Sequence, residues 1–300
     1  MIRFFSLLLV FYSATALSQE IALTFDDAPT ADGPRFSGEE RSQRIMDHLK
    51  KNQVQEVAFF VLTGNINQKS KNRLTRYVEA GHVLANHSHS HRWIHQAGIR
   101  SYIRDLTVAD SILNFFPGYQ KWYRYPFLDE GRSVTARDSI RTALQDLHLS
   151  NGYVTIDNYD WYLNHLLQQG HEHGKELNED ALREVYIDHI YNSIIFYDSI
   201  AREHLGRSPK HVLLLHENDL AALFLGDLII HLKEKGWKII SPREAYRDPI
   251  AHYLPDVLFN GQGRVAAVAR EKGVAPGDLV QLSEDEEFLD ALVKKKKVFD

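Results

Sequence analysis

Short apolar runs alternate with amphipathic stretches along most of the chain. Runs of strand length occur seven times, at residues 20–25, 57–62, 82–85, 122–125, 152–156, 211–215 and 237–240. Segments with apolar residues at helical spacing lie between them, at residues 38–51, 68–80, 99–116, 133–147, 178–206 and 219–235. This alternation predicts an α/β fold with parallel strands and outer helices. About seven strands favour a distorted (β/α) barrel over a small open sheet, with an extra helix at 178–206 between the fifth and sixth strands.

The two ends of the chain depart from this alternation. Arg3 precedes an apolar run over residues 4–17, and Ala16-Leu17-Ser18 supplies small residues for cleavage. The pattern predicts a signal peptide at 1–18 and export, either to the periplasm or out of the cell. The run is shorter than the roughly 20 residues of a membrane span, and no later stretch approaches that length. We therefore expect a main domain at 19–248, no membrane span, and a C-terminal extension of unknown role at 249–300, packed under the barrel or forming an appendage.

The composition and net charge of the chain exclude several kinds of functional site. The chain has no cysteine, which excludes disulfides, thiolate nucleophiles and Cys-ligated zinc. Its formal net charge is −5, so no global basic field indicates a nucleic-acid partner.

Five predicted strands end in polar residues that are unusual for a buried sheet. They are Asp26 with Asp27, His87, Arg124, Asp157 and His216. In a parallel α/β barrel the carboxyl ends of the strands share one rim, and that rim carries the active site. The sequence therefore predicts one cleft that gathers these acids, histidines and arginine.

Two of these histidine positions have a spacing that suits a metal ion. His87 and His91 are four residues apart, and on a helical turn they would face the same side. Asp27 is the obvious third ligand, giving a site with open positions of the catalytic type. If the strand geometry persists, Asp26 points away from Asp27 and stays free as a base.

At this point the residues resemble a known family, the polysaccharide deacetylases, also called carbohydrate esterase family 4 or the NodB-homology domain. Five segments carry the resemblance, in the order of the family's motifs: Thr24-Phe25-Asp26-Asp27-Ala28-Pro29, His87-Ser88-His89-Ser90-His91, Arg124-Tyr125-Pro126-Phe127, Asp157-Asn158-Tyr159-Asp160-Trp161 and Leu213-Leu214-Leu215-His216. Together they cover residues 20–245, which is most of the chain.

The resemblance implies a role for each matching residue. Asp27, His87 and His91 would bind a divalent metal, usually zinc in this family and sometimes cobalt or nickel. Asp26 would be the general base and His216 the general acid. Arg124 would hold Asp26, and Asp157 would orient His216. The substrate-binding groove would include three further residues: Pro126, Phe127 and Trp161.

The resemblance also implies a function, with alternatives that the sequence leaves open. The leading expectation is metal-dependent removal of N-acetyl groups from an N-acetylated glycan such as peptidoglycan, a chitin-type polymer or an exopolysaccharide. The alternatives are amide hydrolysis on a non-polymeric substrate, O-acetyl esterase activity on xylan, and non-catalytic carbohydrate binding. Three features depart from the family pattern: Ala28 replaces a glycine, Phe127 replaces a tyrosine, and the connection at 162–210 is long. That connection is either a packed helix or a lid over the groove.

Overall fold

The computed structural model describes residues 19–300, and the predicted signal peptide at 1–18 lies outside this range. The strands are β1 (Glu20–Ala28), β2 (Ala58–Val61), β3 (Val83–Asn86), β4 (Tyr119–Tyr123), β5 (Ser150–Asn151), β6 (His211–His216) and β7 (Lys238–Ile239). The α-helices are α1 (Gly38–Lys51), α2 (Gln68–Glu79), α3 (Ile94–Ala97), α4 (Ile99–Leu113), α5 (Val134–Asp146), α6 (Asp160–Glu172), α7 (Glu179–Leu205), α8 (Asp219–Glu234), α9 (Pro242–Ala245), α10 (Arg264–Glu271) and α11 (Glu286–Lys295).

All strand pairings in the sheet are parallel. The strand order is β5-β4-β3-β2-β1-β6, and β7 pairs with the beginning of β1. One segment joins the two edges of the sheet. β5 pairs with β4, and a few residues later Ile156 bridges to Leu213 of β6. The sheet is therefore curled, and the predicted distorted (β/α) barrel is confirmed.

Buried apolar side chains explain why these strands form the centre of the molecule. Every residue of β2 and β3 is buried, as is most of β1 and β6, which is typical of parallel strands covered on both faces. Several helices begin at a residue whose side chain accepts a hydrogen bond from a backbone N–H of the first turn. The side chain of Asn178, for example, accepts a hydrogen bond from the backbone N–H of Ala181 at the start of α7. Gly206, with φ of 72°, ends that helix.

The connection at 162–210 is packed into the body of the protein. α7 buries one long face that includes Leu182, Ile190 and Ile194. α6 precedes it and was not predicted, although Leu163 and Leu167 are spaced as a buried helix face requires. None of the residues lining the cavity described below comes from α7. Of the two expectations for this connection, the packed helix is the one that the structure shows.

The C-terminal segment also packs against the barrel. The backbone N–H of Arg264 donates to the carbonyl of Val154, at 2.7 Å, beside the segment that joins the sheet edges. The N–H of Asn178 donates to the carbonyl of Val298, at 2.9 Å, which ties the end of the chain to the start of α7. Within residues 19–300, no helix is both long and apolar enough to cross a membrane.

Candidate metal centre and active site

The predicted site residues meet at the carboxyl ends of the parallel strands. A cavity of about 500 Å³ opens there, between the rim of the barrel and the C-terminal segment. Its lining includes the predicted residues Asp26, Asp27, His87, His91, Phe127, Asp157, Trp161 and His216. Pro126 is buried and is not among the residues that line this cavity.

A bulge in β1 brings both aspartates to the same cavity. The pairing of β1 with β2 shifts register between Phe25 and Ala28, and Asp27 adopts a left-handed φ of 64°. Strand alternation is therefore interrupted, because a bulge re-aims the side chains that follow it. Asp26 Oδ2 lies 3.7 Å from His87 Nε2, and Asp27 Oδ1 lies 3.5 Å from the same atom. The expectation that Asp26 and Asp27 face opposite ways is wrong for this reason.

The two histidines lie on a loop rather than on a helical turn. Ser88 and His91 have φ values of 74° and 49°, outside the right-handed helical region. Side chains fix this loop. The N–H of Ser88 donates to Asn86 Oδ1 at 2.8 Å, and the N–H of His91 donates to Ser88 Oγ at 3.0 Å. The structure therefore brings His87 and His91 together as predicted. It does so on a loop, which their spacing in the sequence did not indicate.

Asp27, His87 and His91 fit a metal ion. One ligand atom from each lies within 4.8 Å of the others. His87 Nδ1 bonds the carbonyl of Arg124 at 3.0 Å, so the Nε2 lone pair faces the two other ligands. Asp27 Oδ1 is buried and has no hydrogen-bond partner among the described residues, as expected for a carboxylate oxygen that binds a cation. Burial lowers the pKa of His87 to about 3, and the neutral imidazole is the form that binds metals.

Asp26 is held beside this set by a buried arginine. Arg124 Nη1 donates to Asp26 Oδ1 at 2.6 Å and to Thr24 Oγ1 at 2.8 Å. The same guanidinium donates to the carbonyl of Gly152 and lies 3.7 Å from the centre of the Phe60 ring. Burial raises the pKa of Asp26, and the charge of Arg124 opposes that shift.

His216 ends β6, where it is the register partner of Asp26 on β1, and its hydrogen-bond partner differs from the one expected. His216 Nδ1 bonds Asp160 Oδ1 at 2.6 Å, and the N–H of His216 donates to Asp160 Oδ2 at 3.0 Å. Burial lowers the pKa of His216, but the Asp160 carboxylate, together with the charges of Asp27 and Asp26, outweighs that effect and the pKa rises to about 10. Asp157, predicted to orient His216, instead accepts a hydrogen bond from the N–H of Asn158 at 2.8 Å.

Sequence reasoning therefore missed Asp160, although it stands in the same motif as Asp157. Asp157 and Asp160 are three residues apart, and this spacing alone does not indicate which of them contacts His216. The backbone turn that follows Ile156 decides it. Asp157 occupies a different environment. It is buried, and burial together with the nearby Glu284 carboxyl raises its pKa well above the usual range. Glu284 comes from the C-terminal segment, which the sequence did not connect to the site.

Aromatic rings form two walls of the cavity. On the metal side, Trp93 stacks on Phe127 with ring centres 3.9 Å apart, and His91 meets the edge of Phe127 at 4.4 Å. On the other side, Tyr159 and Trp161 lie 5.1 Å apart. Trp93 and Tyr159 were not predicted, although each lies within two residues of a predicted one. Gly261 and Glu286, which also line the cavity, belong to the C-terminal segment.

The chain is similar to known polysaccharide deacetylases in sequence and in fold. Residues 14–149 match the family model for polysaccharide deacetylases. The chain is 34% identical over 109 residues to a peptidoglycan-N-acetylglucosamine deacetylase of Bacillus cereus, covering 36% of each chain. It is 27% identical over 224 residues to YheN of Bacillus subtilis, which is provisionally named a polysaccharide deacetylase, covering 72% of this chain and 64% of that one. Over residues 14–149 the chain is therefore similar to the polysaccharide deacetylases, the family that its motifs resemble, and it spans between one third and two thirds of these relatives' lengths.

A solved structure supports the fold. A polysaccharide deacetylase from Bacillus cereus superimposes with a TM-score of 0.54, covering 74% of this chain and 91% of that one, at 19% identity. This likeness concerns the fold alone. The family-model match ends at residue 149, directly before β5, so the assignment of Asp160 and His216 rests on the geometry described above.

Proposed function

We propose that this protein is a metal-dependent hydrolase that removes N-acetyl groups from amino-sugar polymers or oligomers, of the peptidoglycan, chitin or exopolysaccharide type. One observation carries the proposal. A three-ligand set, a buried carboxylate and a carboxylate-bound histidine face one cavity of about 500 Å³. Hydrolysis of an amide needs an electrophilic centre, a base for water and an acid for the departing amine, and these groups supply all three.

Asp27, His87 and His91 would hold the metal, with zinc the first expectation and cobalt or nickel as alternatives. When bound, a divalent ion polarises a carbonyl oxygen and lowers the pKa of water. The open positions of a three-ligand site leave room for substrate and water. His87 presents Nε2 because its Nδ1 is bonded to the carbonyl of Arg124.

Asp26 would take the proton of the attacking water. Its raised pKa moves this carboxyl toward the range in which a base works near neutral pH, and Arg124 keeps it ionised and fixed. His216 would deliver a proton to the leaving amine. Its pKa of about 10 keeps it protonated at neutral pH, and Asp160 fixes the ring through Nδ1 so that Nε2 faces the cavity. The backbone N–H of Phe127 would stabilise the negative charge on the acetyl oxygen.

The aromatic walls favour a carbohydrate substrate. Trp161 is 40% exposed and Phe127 is 38% exposed, so both rings present free faces at the cavity mouth. Flat apolar faces suit the pyranose rings of a glycan chain. Export to the periplasm or outside the cell, which the first 18 residues predict, would place the enzyme where such polymers occur.

The test is acetate release by the purified chain with the predicted signal removed. Peptidoglycan, chitin oligomers and acetylated xylan are offered in parallel, each with and without chelator. We expect chelator-sensitive release from an amino-sugar substrate. Release only from xylan would replace the N-deacetylase with an O-acetyl esterase, and no release from any substrate would contradict the proposal.

Asp26→Asn is the variant that links this activity to the proposed base. It removes the base but keeps a hydrogen-bonding side chain beside Arg124, and it leaves the three metal ligands in place. We expect kcat to fall by about 10²–10⁴ while the bound metal stays stoichiometric. Full activity in this variant would show that Asp26 is not the base.

A further inference from the structure

The long helix α7 has polar side chains on its buried face. Tyr186, His189, Ser193 and Tyr197 follow one another at intervals of three or four residues, so they share one side of the helix. All four are at least 96% buried. Burying polar groups costs free energy unless they are hydrogen-bonded, so packing alone does not account for this face.

The second half of this face is paired with the C-terminal segment. Ser193 Oγ and Ser283 Oγ are 2.6 Å apart, and the hydroxyl of Tyr197 donates to the Glu284 carboxylate. These bonds satisfy both α7 side chains. They also hold Glu284 in its position near Asp157.

The first half of the face has no partner among the described residues. The hydroxyl of Tyr186 and both ring nitrogens of His189 are buried without a hydrogen bond. These side chains are one turn apart on α7, and α7 packs against α6, whose first residue is Asp160. The negative charge of Asp160 affects the pKa of both side chains. Burial lowers the pKa of His189 to about 4 and Asp160 opposes that shift, whereas burial and Asp160 together raise the pKa of Tyr186.

Asp160 has room for one more donor. Its Oδ2 accepts two hydrogen bonds, from the N–H of His216 and from Asn218 Nδ2, each at 3.0 Å. Its Oδ1 accepts one, from His216 Nδ1. A carboxylate offers about four lone-pair sites. Internal water molecules in proteins typically make about three hydrogen bonds, to buried polar groups that otherwise lack a partner.

We propose that Tyr186 and His189 are positioning residues for the Asp160–His216 pair, and that they act through an internal water molecule bonded to both side chains and to Asp160 Oδ1. The Tyr186 hydroxyl donates to the water oxygen, and the water donates one O–H to the unprotonated ring nitrogen of neutral His189 and the other to Asp160 Oδ1. A water held in this way limits the rotation of the Asp160 carboxylate. The short bond from Oδ1 to His216 Nδ1 then stays aligned.

The first test observes His216 directly. The proton between His216 Nδ1 and Asp160 Oδ1 should give a low-field proton NMR signal in the wild-type protein. In Tyr186→Phe, which removes only a hydroxyl, we expect the signal to move upfield and its exchange with solvent to accelerate about 10-fold. His189→Leu should act in the same direction. His189→Gln, which keeps a donor and an acceptor, should retain most of the wild-type signal.

Tyr191→Phe is the matched control. Tyr191 is on the same helix and loses the same hydroxyl, but it is only partly buried and its ring packs on His231 instead of facing Asp160. It should leave the signal unchanged. An unchanged signal in both Tyr186→Phe and His189→Leu would overturn the proposal. An equal change in Tyr191→Phe would also overturn it, because the effect would then reflect loosening of the helix.

The second test is kinetic and rests on the proposed function. With the deacetylase substrate, Tyr186→Phe should lower kcat about 10-fold and leave KM unchanged, because no cavity-lining residue is altered. A change in KM with constant kcat would contradict a role through His216. If the wild-type protein releases no acetate, the proposed function fails, and the NMR signal still decides the positioning role.

Discussion

Two of the three proposed metal ligands adopt backbone angles that L-amino acids rarely populate. Asp27 has φ of 64° and His91 has φ of 49°. Left-handed backbone at a non-glycine residue costs about 1–2 kcal/mol, so neighbouring contacts must hold it. Ala28, which replaces the family's glycine, is not in this region, so the substitution adds no strain at that position.

The histidine motif allows a sharp test of the metal site. His87→Ala should abolish stoichiometric metal binding and lower activity at least 10²-fold, because it removes one of three ligands. Metal content is measured by elemental analysis after dialysis, and activity by acetate release.

His89→Ala is the control for that experiment. His89 stands between the two ligands in sequence, but its Nδ1 bonds Thr63 Oγ1 at 2.9 Å and it takes no part in the Asp27 set. This variant should keep its metal. Loss of metal in His89→Ala alone would refute the assigned ligands.

Two acids of one motif have roles that mutation can separate. Asp160→Asn should lower kcat about 10²-fold or more, because His216 loses the carboxylate that fixes its ring and keeps it charged. Asp157→Asn should cost less than about 10-fold, because an amide oxygen can still accept the N–H of Asn158. The measurement is the steady-state kcat of each variant, compared with that of the wild-type protein. A larger loss for Asp157→Asn would restore the role that the sequence suggested for it.

At the scale of elements, the segment that closes the barrel also anchors the C-terminal extension. Residues 150–156 pair with β4 at one end and β6 at the other. Arg264, the residue after Gly263, donates its backbone N–H to the carbonyl of Val154. A Cβ atom on Gly263 would lie 2.7 Å from that carbonyl oxygen, which is closer than real contacts allow.

Gly263→Ala should therefore lower the free energy of unfolding by about 1–3 kcal/mol, the usual cost of overpacking. Denaturant unfolding provides the measurement. Gly277→Ala, in the same extension, meets nothing within 4 Å and should change stability by less than about 0.5 kcal/mol. Equal stability of the two variants would show that the extension is not docked at Val154.

At the scale of the whole molecule, the site joins parts of the chain that are far apart in sequence. β1, the loop after β3, the start of α6, the end of β6 and the C-terminal segment all contribute to one cavity. A ligand that binds across such parts stabilises the folded state, because the unfolded chain does not hold the set together.

Metal removal should therefore lower the stability of the whole protein. At a free zinc concentration 100 times the dissociation constant, the ion adds about 2.7 kcal/mol to the free energy of unfolding. Thermal unfolding with excess chelator should give a lower Tm than with zinc. The Tm of His87→Ala should not respond to either addition, and an equal response in that variant would place the zinc elsewhere.

The barrel and most of the residues gathered in the candidate site can be predicted from the sequence alone. Period-2 and period-3.6 patterns record which faces are buried, and polar residues at strand ends stand out against an apolar run. Asp26, Asp27, His87, His91, Arg124 and His216 could all be found in this way, because parallel strands bring their carboxyl ends together.

Which of these groups contact one another is visible only in the folded structure. The bulge at Asp27, the loop that aims His91 and the choice of Asp160 over Asp157 depend on backbone angles that local patterns do not encode. The wall formed by Gly261 and Glu286 depends on contacts between segments more than 100 residues apart. Such contacts follow from how the whole chain packs, and a pattern read over one or two turns carries no information about them.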